Sequence, residues 1–348
     1  MSATLNRISV VQARRLYVMV IAALVFLALP CFPVQAAQQP AQEQQAARMV
    51  DAGIYITNIQ EISLAASTYK ATFWLWFKSN DEKYEPEKSI DIIGSKDVKT
   101  DSLTVEKLSD GTYYRSIKCT ATITQKYDVG YFPFDTQNLR IIVESTADEF
   151  SKLHFKADTK SSGIDPNIVL PGWKYRSFDV RAESATYNTD FGAGDGGDST
   201  FARLVSTVTL DHAGGRIFGT SFLGFFVADL LTGVTMAVES FNITRLAVPF
   251  VGRLNMVAGS LFGAVGNSYL VEKMLPPTPT LTLTDIVQVS SFSSIAFALF
   301  TVITTETMSR MAYSAPVIST VARSSVALYV AAQVALITYF VANANKTK

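Results

Sequence analysis

Histidine and cysteine are almost missing from this chain: His154 and His212 are its only histidines, and Cys31 and Cys119 its only cysteines, in 348 residues. So few imidazoles and thiols exclude a His/Cys cluster of the kind that holds zinc, and leave no Cys/His couple for covalent catalysis. No glycine-rich phosphate loop follows a strand, so neither an enzyme nor a cofactor is expected. Net charge is missing too. Lys plus Arg is 30 and Asp plus Glu is 30, a formal charge of zero, which provides no basic footprint for nucleic acid. Charged residues are only 17% of the chain and hydrophobic ones 48%, with a mean hydropathy of +0.21, which is high for a soluble enzyme.

The apolar residues gather at the two ends. Arg7, Arg14 and Arg15 precede an apolar stretch from Leu16 to Leu29, and Val34-Gln35-Ala36-Ala37 follows as a small-residue cleavage site. Residues 1–37 are therefore expected to be a secretory signal peptide, the stretch being short for the roughly 20 residues of a membrane anchor. Cys31 would leave with it, so the mature chain would hold Cys119 alone and no internal disulfide. Residues 38–215 read as short strands rich in β-branched and aromatic residues, Ala71-Thr-Phe-Trp-Leu-Trp-Phe among them. Turn clusters such as Ser109-Asp110-Gly111 separate the strands, a pattern that predicts a β-sandwich. The glycine-rich stretch Gly192 to Asp198 is a hairpin tip by composition. Asp195 and Asp198 there fit no EF-type calcium spacing, and no metal site is expected.

After Arg216 the character changes. Four apolar segments, at about 217–238, 251–272, 281–305 and 323–344, read as transmembrane helices. Arg245, Arg253, Arg310 and Arg323 are assigned to the connections after the first and third helices. The positive-inside rule then puts those connections in the cytoplasm, and the sandwich and the C-terminus in the periplasm.

The second segment is unlike its neighbours. Steps of four and three from Asn255 reach Gly259, Phe262, Gly266, Tyr269 and Lys273, a stripe that is small, polar or aromatic. Periodicity alone leaves two readings open: a face that lines water, or a helix-packing face in which Gly259 and Gly263 form a GxxxG pattern.

Tyr131-Phe132-Pro133-Phe134-Asp135-Thr136-Gln137 resembles the Pro-Phe-Asp loop of the pentameric ligand-gated ion channels, the Cys-loop receptor superfamily, here without flanking cysteines as in its bacterial members. Val271-Glu-Lys-Met-Leu-Pro-Pro-Thr-Pro279 is similar to the end of the family's pore helix and the loop after it. Pro171-Gly-Trp-Lys-Tyr-Arg-Ser-Phe178 is similar to a strand in the second half of its sandwich, and Gly53-Ile-Tyr55 and Asp110-Gly-Thr112 fall in register.

The resemblance implies a periplasmic β-sandwich over a four-helix transmembrane domain, assembled as a homopentamer in a bacterial inner membrane, with lipid, permeant ions and an unidentified small molecule or protons as partners. Asn255, Gly259, Phe262, Gly266 and Tyr269 would line the pore, with Phe262 as a hydrophobic gate that works by dewetting. The selectivity region would be Val251, Gly252 and Arg253. It holds an arginine and no acid, which favours anions. Asp135 and Arg216 would form an ion pair beside Pro276, Pro277 and Pro279, and with Pro133 and Phe134 would pass movement of the sandwich to the pore.

The chain also departs from the family. The stretch from Lys78 to Asp110 is short and lacks the Trp-x-Pro element of the usual agonist site, and Phe77 replaces a strand tryptophan. Trp74 and Trp76 share a strand face that would look into a subunit interface, as packing or as part of a ligand site, and Tyr175 and Tyr187 would line a remnant pocket near the hairpin tip. Asp229, in the first helix, is expected to be a buried, hydrogen-bonded carboxyl. His154, with Asp148 and Glu149, is a titrating cluster that is more simply read as solvated. The run from Phe241 to Phe250 is expected to add an interfacial turn. A pentameric membrane sensor that has lost conduction is the alternative to a channel.

Overall fold

The computed structural model describes residues 47–192, 196–241 and 248–344. The signal segment, Asp195, Arg245 and most of the run from Phe241 to Phe250 lie outside the described residues.

Ten strands come first: β1 (Arg48–Ser63), β2 (Thr68–Ser79), β3 (Ile90–Ile92), β4 (Ser95–Lys107), β5 (Tyr113–Thr124), β6 (Thr136–Glu149), β7 (Leu153–Ala157), β8 (Gly163–Ile164), β9 (Trp173–Tyr187) and β10 (Ser199–His212). A short helix, α1 (Pro86–Ser89), precedes β3. One sheet runs β4-β5-β2-β1-β7, with β8 beside β1, and the other runs β3-β6-β10-β9. Alternation explains the pairing of layers. In β2, Tyr69, Ala71, Phe73, Leu75 and Phe77 point inward while Lys70, Thr72 and Trp74 stay on the outer face. In β6, Leu139, Ile141 and Val143 meet them from the facing sheet. Phe73 and Phe77 are 0% and 1% exposed, and each such ring contributes about 1.5–3 kcal/mol by leaving water. Cys119 is part of this core, and burial pushes its thiol up to about 11, so it stays protonated at ordinary pH. The edge strand β4 is exposed along most of its length and carries Lys96, Asp97, Lys99 and Asp101, charges that discourage edge-to-edge pairing.

Four long helices follow: α2 (Gly214–Phe241), α3 (Phe250–Glu272), α4 (Leu283–Arg310) and α5 (Ala315–Ala344). Three of them, α2, α4 and α5, are long and apolar enough to cross a membrane; α3 is not among them. Thr282 starts α4 with a capping box, its hydroxyl accepting from Asp285 N–H and the Asp285 carboxylate accepting from Thr282 N–H at 2.7 Å. The one charge in that apolar run is thus a cap. The fourth helix begins at Ala315, earlier than the expected 323, because Pro316 fits the first turn, where its missing N–H costs nothing. Arg253, Arg310 and Arg323 therefore lie within helices and not in the connections.

Candidate functional site

The apolar side of α3 is buried against its neighbours through Val257, Ser260, Ala264, Asn267 and Val271. Asn267 anchors it. Its Nδ2 donates to Ser221 O at 2.6 Å and its Oδ1 accepts from Gly224 N–H at 3.2 Å, joining α3 to α2 by two hydrogen bonds. Gly224 permits the approach, since a Cβ there would lie 2.5 Å from the Asn267 Cβ. Gly224→Ala should therefore push α3 off α2, at a cost of about 1–3 kcal/mol, read as a lower thermal midpoint and less protein of assembled size.

The opposite face of α3 is open. Val251, Asn255, Gly259, Phe262, Gly266 and Tyr269 are exposed on one subunit, Phe262 at 76%. Of the GxxxG pair, a Cβ on Gly259 would come to 3.4 Å from Leu231 Cδ2 and one on Gly263 to 3.8 Å from Ala228, both ordinary contacts, and one on Gly266 of the open face would meet nothing within 4 Å. The glycines are thus not needed for packing within the subunit. At the C-terminal end of α3, the Lys273 ammonium lies 4.2 Å from the Tyr269 ring centroid.

Arg253 does not point its charge at that open face. Its guanidinium donates to Glu239, at the end of α2, and to Glu306, near the end of α4, at 3.0 Å, with only 15% of the side chain exposed. Glu306 also holds Arg310 at 2.9 Å. The expected selectivity region of Val251, Gly252 and Arg253 is corrected at Arg253, whose charge two carboxylates from neighbouring helices already neutralise. Gly252 is half-buried beside Val248.

At the junction of sheets and helices the expected Asp135–Arg216 pair is replaced. Asp135 is 3% exposed, and its carboxylate lies 2.6 Å from Nδ1 of His212, whose side chain is 4% exposed. Gln137 Nε2 donates to Asp135 as well. His212 stacks on Trp173 with centroids 3.8 Å apart and meets Phe132 edge-on at 5.4 Å. Arg216 is exposed. The reason is position: His212 ends β10 directly over the loop, whereas Arg216 already lies in the first turn of α2. The loop itself docks on the start of α4. Leu283 N–H donates to Gly130 O at 2.8 Å and Thr284 Oγ1 to Phe132 O at 3.3 Å, while Pro133 is buried and Phe134 packs on Phe218 at 5.7 Å. Pro277 and Pro279 are exposed and Pro276 half-buried, so contact of the loop with α4 replaces the contact expected with Pro276 to Pro279.

Beneath Phe134 lies an apolar cavity of about 850 Å³ between α2 and α5, lined among others by Phe218, Phe226, Asp229 and Tyr329. Asp229 Oδ2 accepts from Ser291 at 2.8 Å, and its Oδ1 is buried without a partner.

The four expected ligand-site aromatics do not converge within one subunit. Trp74 and Trp76 belong to β2 in the first sheet, Tyr175 and Tyr187 to β9 in the second. Trp76 donates Nε1–H to Asp158 at 3.2 Å and is 8% exposed; Trp74 lies 5.9 Å from the Lys118 ammonium. Tyr187, at the hairpin, lies 2.9 and 3.1 Å from the two carboxylate oxygens of Glu144 and accepts from Arg203 at 2.6 Å. Burial and Glu144 together hold its phenol above the ordinary value. Tyr175 lies near the opposite end of β9, beside Trp173, and not near the hairpin tip. His154 is half-buried and stacks on Phe150 at 4.0 Å.

Sequence reasoning missed His212, Asn267 and the pair of glutamates on Arg253. Each had a faint signal: a histidine ending the last strand, an asparagine off the polar stripe, and Glu239 ending an apolar run.

No protein-family model matches the chain. It is similar to a proton-gated ion channel of Gloeobacter violaceus, 21% identical over 256 residues, which cover 68% of this chain and 66% of that protein. It is also similar to the gamma-aminobutyric acid receptor subunit rho-2 of Bos taurus and of Homo sapiens. Each is 28% identical over 155 residues, covering 44% of this chain and 30% of the receptor subunit. The chain thus spans just under two thirds of the first relative and under a third of the others. These relatives are ion channels and not enzymes, and they bear out what the Pro-Phe-Asp loop suggested: in sequence, the chain resembles the pentameric ligand-gated ion channels of the Cys-loop receptor superfamily.

Proposed function

We propose that the chain is one subunit of a homopentameric ligand-gated ion channel in a bacterial inner membrane. In this reading residues 1–37 are a signal peptide, 38–215 a periplasmic sensing sandwich and 216–348 the transmembrane domain. The observation that carries it is the open face of α3: the one long helix too polar to rank with the membrane-crossing three keeps Asn255, Gly259, Phe262, Gly266 and Tyr269 uncovered while its other side is pinned by Asn267. A single such helix cannot enclose water; five around an axis can. A periplasmic stimulus, a small molecule or protons, moves the sandwich, and the junction at His212, Asp135 and Phe132 passes the movement through Thr284 to α4. The ring of Phe262 side chains then rehydrates and ions pass. Selectivity leans to anions because no acid stands on the open face between Val251 and Phe262; Arg253, neutralised by Glu239 and Glu306, adds nothing to that lean.

Cysteine labelling of the liposome-held protein tests the pore. Asn255→Cys, Gly259→Cys and Gly266→Cys should react with a charged, membrane-impermeant thiol reagent supplied on both sides. Phe300→Cys, 67% exposed on α4, should not, because it would face lipid. The native Cys119 stays silent by burial. Failure of all three α3 cysteines to react in a particle of five subunits would show that this face is packed against protein, and would favour the non-conducting sensor.

A further inference from the structure

A second cavity, of about 400 Å³, lies low in the sandwich between the stretch after β8 and the start of β9. Ile164, Asp165, Leu170, Trp173 and Tyr175 are among its walls. Its volume is in the range of about 300–1,000 Å³ typical of small-molecule sites. The turn that builds one wall is specific: Trp173 N–H donates to Leu170 O at 3.0 Å across Pro171-Gly172, and Gly172 sits at φ +83°, where a side chain would be strained.

The chemistry of the lining is lopsided. Asp165 is its only charged residue, and among the described residues no lysine or arginine pairs with it. Asn167 occupies Oδ1, through its N–H at 2.8 Å and its side-chain amide at 3.2 Å, and Oδ2 has no hydrogen-bond partner among the described residues. Two aromatic rings accompany this unpaired carboxylate. Tyr175 is half exposed at 50%, and Trp173, stacked on His212, is part of the cavity wall. A carboxylate beside indole and phenol rings, with no competing cation, favours a small organic cation through Coulomb attraction and the negative faces of the rings.

We propose that this cavity is a binding site for small organic ammonium ions, formed within one subunit and separate from the hairpin end of β9 where Tyr187 sits. Trp173 gives the site a mechanical outlet. The ring that meets the ligand is stacked on His212, and His212 holds Asp135 in the loop that docks on α4. An ammonium ion seated here therefore bears on the junction; its effect on ion flow rests on the channel reading, whereas its binding does not.

The test is binding, read without flux. Choline is titrated into the full-length protein in detergent while tryptophan emission is followed, with 3,3-dimethyl-1-butanol as the neutral molecule of the same shape. Choline should shift the emission saturably, and the neutral analogue should need roughly tenfold more. Asp165→Asn should weaken choline by about the same factor, and Tyr175→Ala, a rim change that spares the turn, should weaken it too. The shift should survive in a Trp74→Phe/Trp76→Phe background, where Trp173 is the only tryptophan left. No saturable shift, equal binding of the neutral analogue, or an unchanged response in both Asp165→Asn and Tyr175→Ala protein of native assembly size would each overturn the proposal. So would loss of the shift in the background that keeps Trp173.

Discussion

Liposomes holding Phe262→Ala protein should leak ions without any stimulus, at least about ten times faster than liposomes holding the native chain. Phe262 is the largest wholly apolar side chain on the open face of α3, is 76% exposed on one subunit, and is flanked one turn away on either side by Gly259 and Gly266, which leave space around it. If five copies of this face surround an axis, the narrowest and driest level is set by the phenyl rings. Water confined between such rings loses hydrogen bonds and withdraws, and an ion cannot follow without shedding its own shell. Alanine removes the rings and widens that level. A tenfold rise in flux needs only about 1.4 kcal/mol off the barrier, far less than a ring of five phenyl groups can contribute.

The control is Phe300→Ala, a comparably exposed phenylalanine on α4 that would face lipid and should leave the liposomes tight. Running the leak under opposed chloride and potassium gradients also reports selectivity: a chloride-carried leak fits a helix without an acid on its open face. An assembled Phe262→Ala protein that stays as tight as the native one would remove Phe262 from the gate and turn attention to the sensor alternative.

What could be read from sequence followed from local periodicity. The inward row Tyr69, Phe73, Leu75 and Phe77 alternates as a half-buried strand must, and the stripe from Asn255 to Tyr269 repeats with the period of a helix; both stand on one face in the structure. What escaped was long-range pairing of charged and polar groups, which no local pattern encodes. The sequence shows the charge of Arg253 beside the expected pore entrance, but its partners Glu239 and Glu306 come from two other helices. The apolar run around Asp229 points to a hydrogen-bonded carboxyl, yet nothing local names its partner Ser291. Resemblance pairs Asp135 with Arg216, whereas in the fold the partner is His212, a residue with no sequence neighbour to mark it. The start of α5 escapes the sequence for a related reason: the charge of Arg323 suggests a connection, although a long, flexible arginine side chain fits equally well two turns into a helix.

That substitution of partners at the junction yields the second large effect. Asp135→Ala should lower the thermal midpoint of the detergent-solubilised protein by on the order of 5 °C, whereas Arg216→Ala should leave it almost unmoved. The carboxylate of Asp135 is almost wholly buried and accepts from Gln137 while pairing with His212, and hydrogen bonds to a charged group contribute roughly 1.5–3 kcal/mol each. Its removal leaves Nδ1 of His212 without a partner in a ring already enclosed by Trp173 and Phe132, where water cannot easily take over. His212→Ala should cost a similar amount by the converse route, because it strands the carboxylate. The double variant should then lose much less than the sum of the two, since each single change has already broken the same contact, giving a coupling of about 1–3 kcal/mol. Asp135→Asn keeps the shape and an acceptor oxygen, so it should recover part of the loss. Arg216, exposed and without a bond to Asp135, should show no coupling to it. Measured cycles with the reverse pattern, strong coupling to Arg216 and none to His212, would mean that the junction is assembled on an Asp135–Arg216 pair after all. In that case the path from sandwich to pore would begin in the first turn of α2, and not at the end of β10.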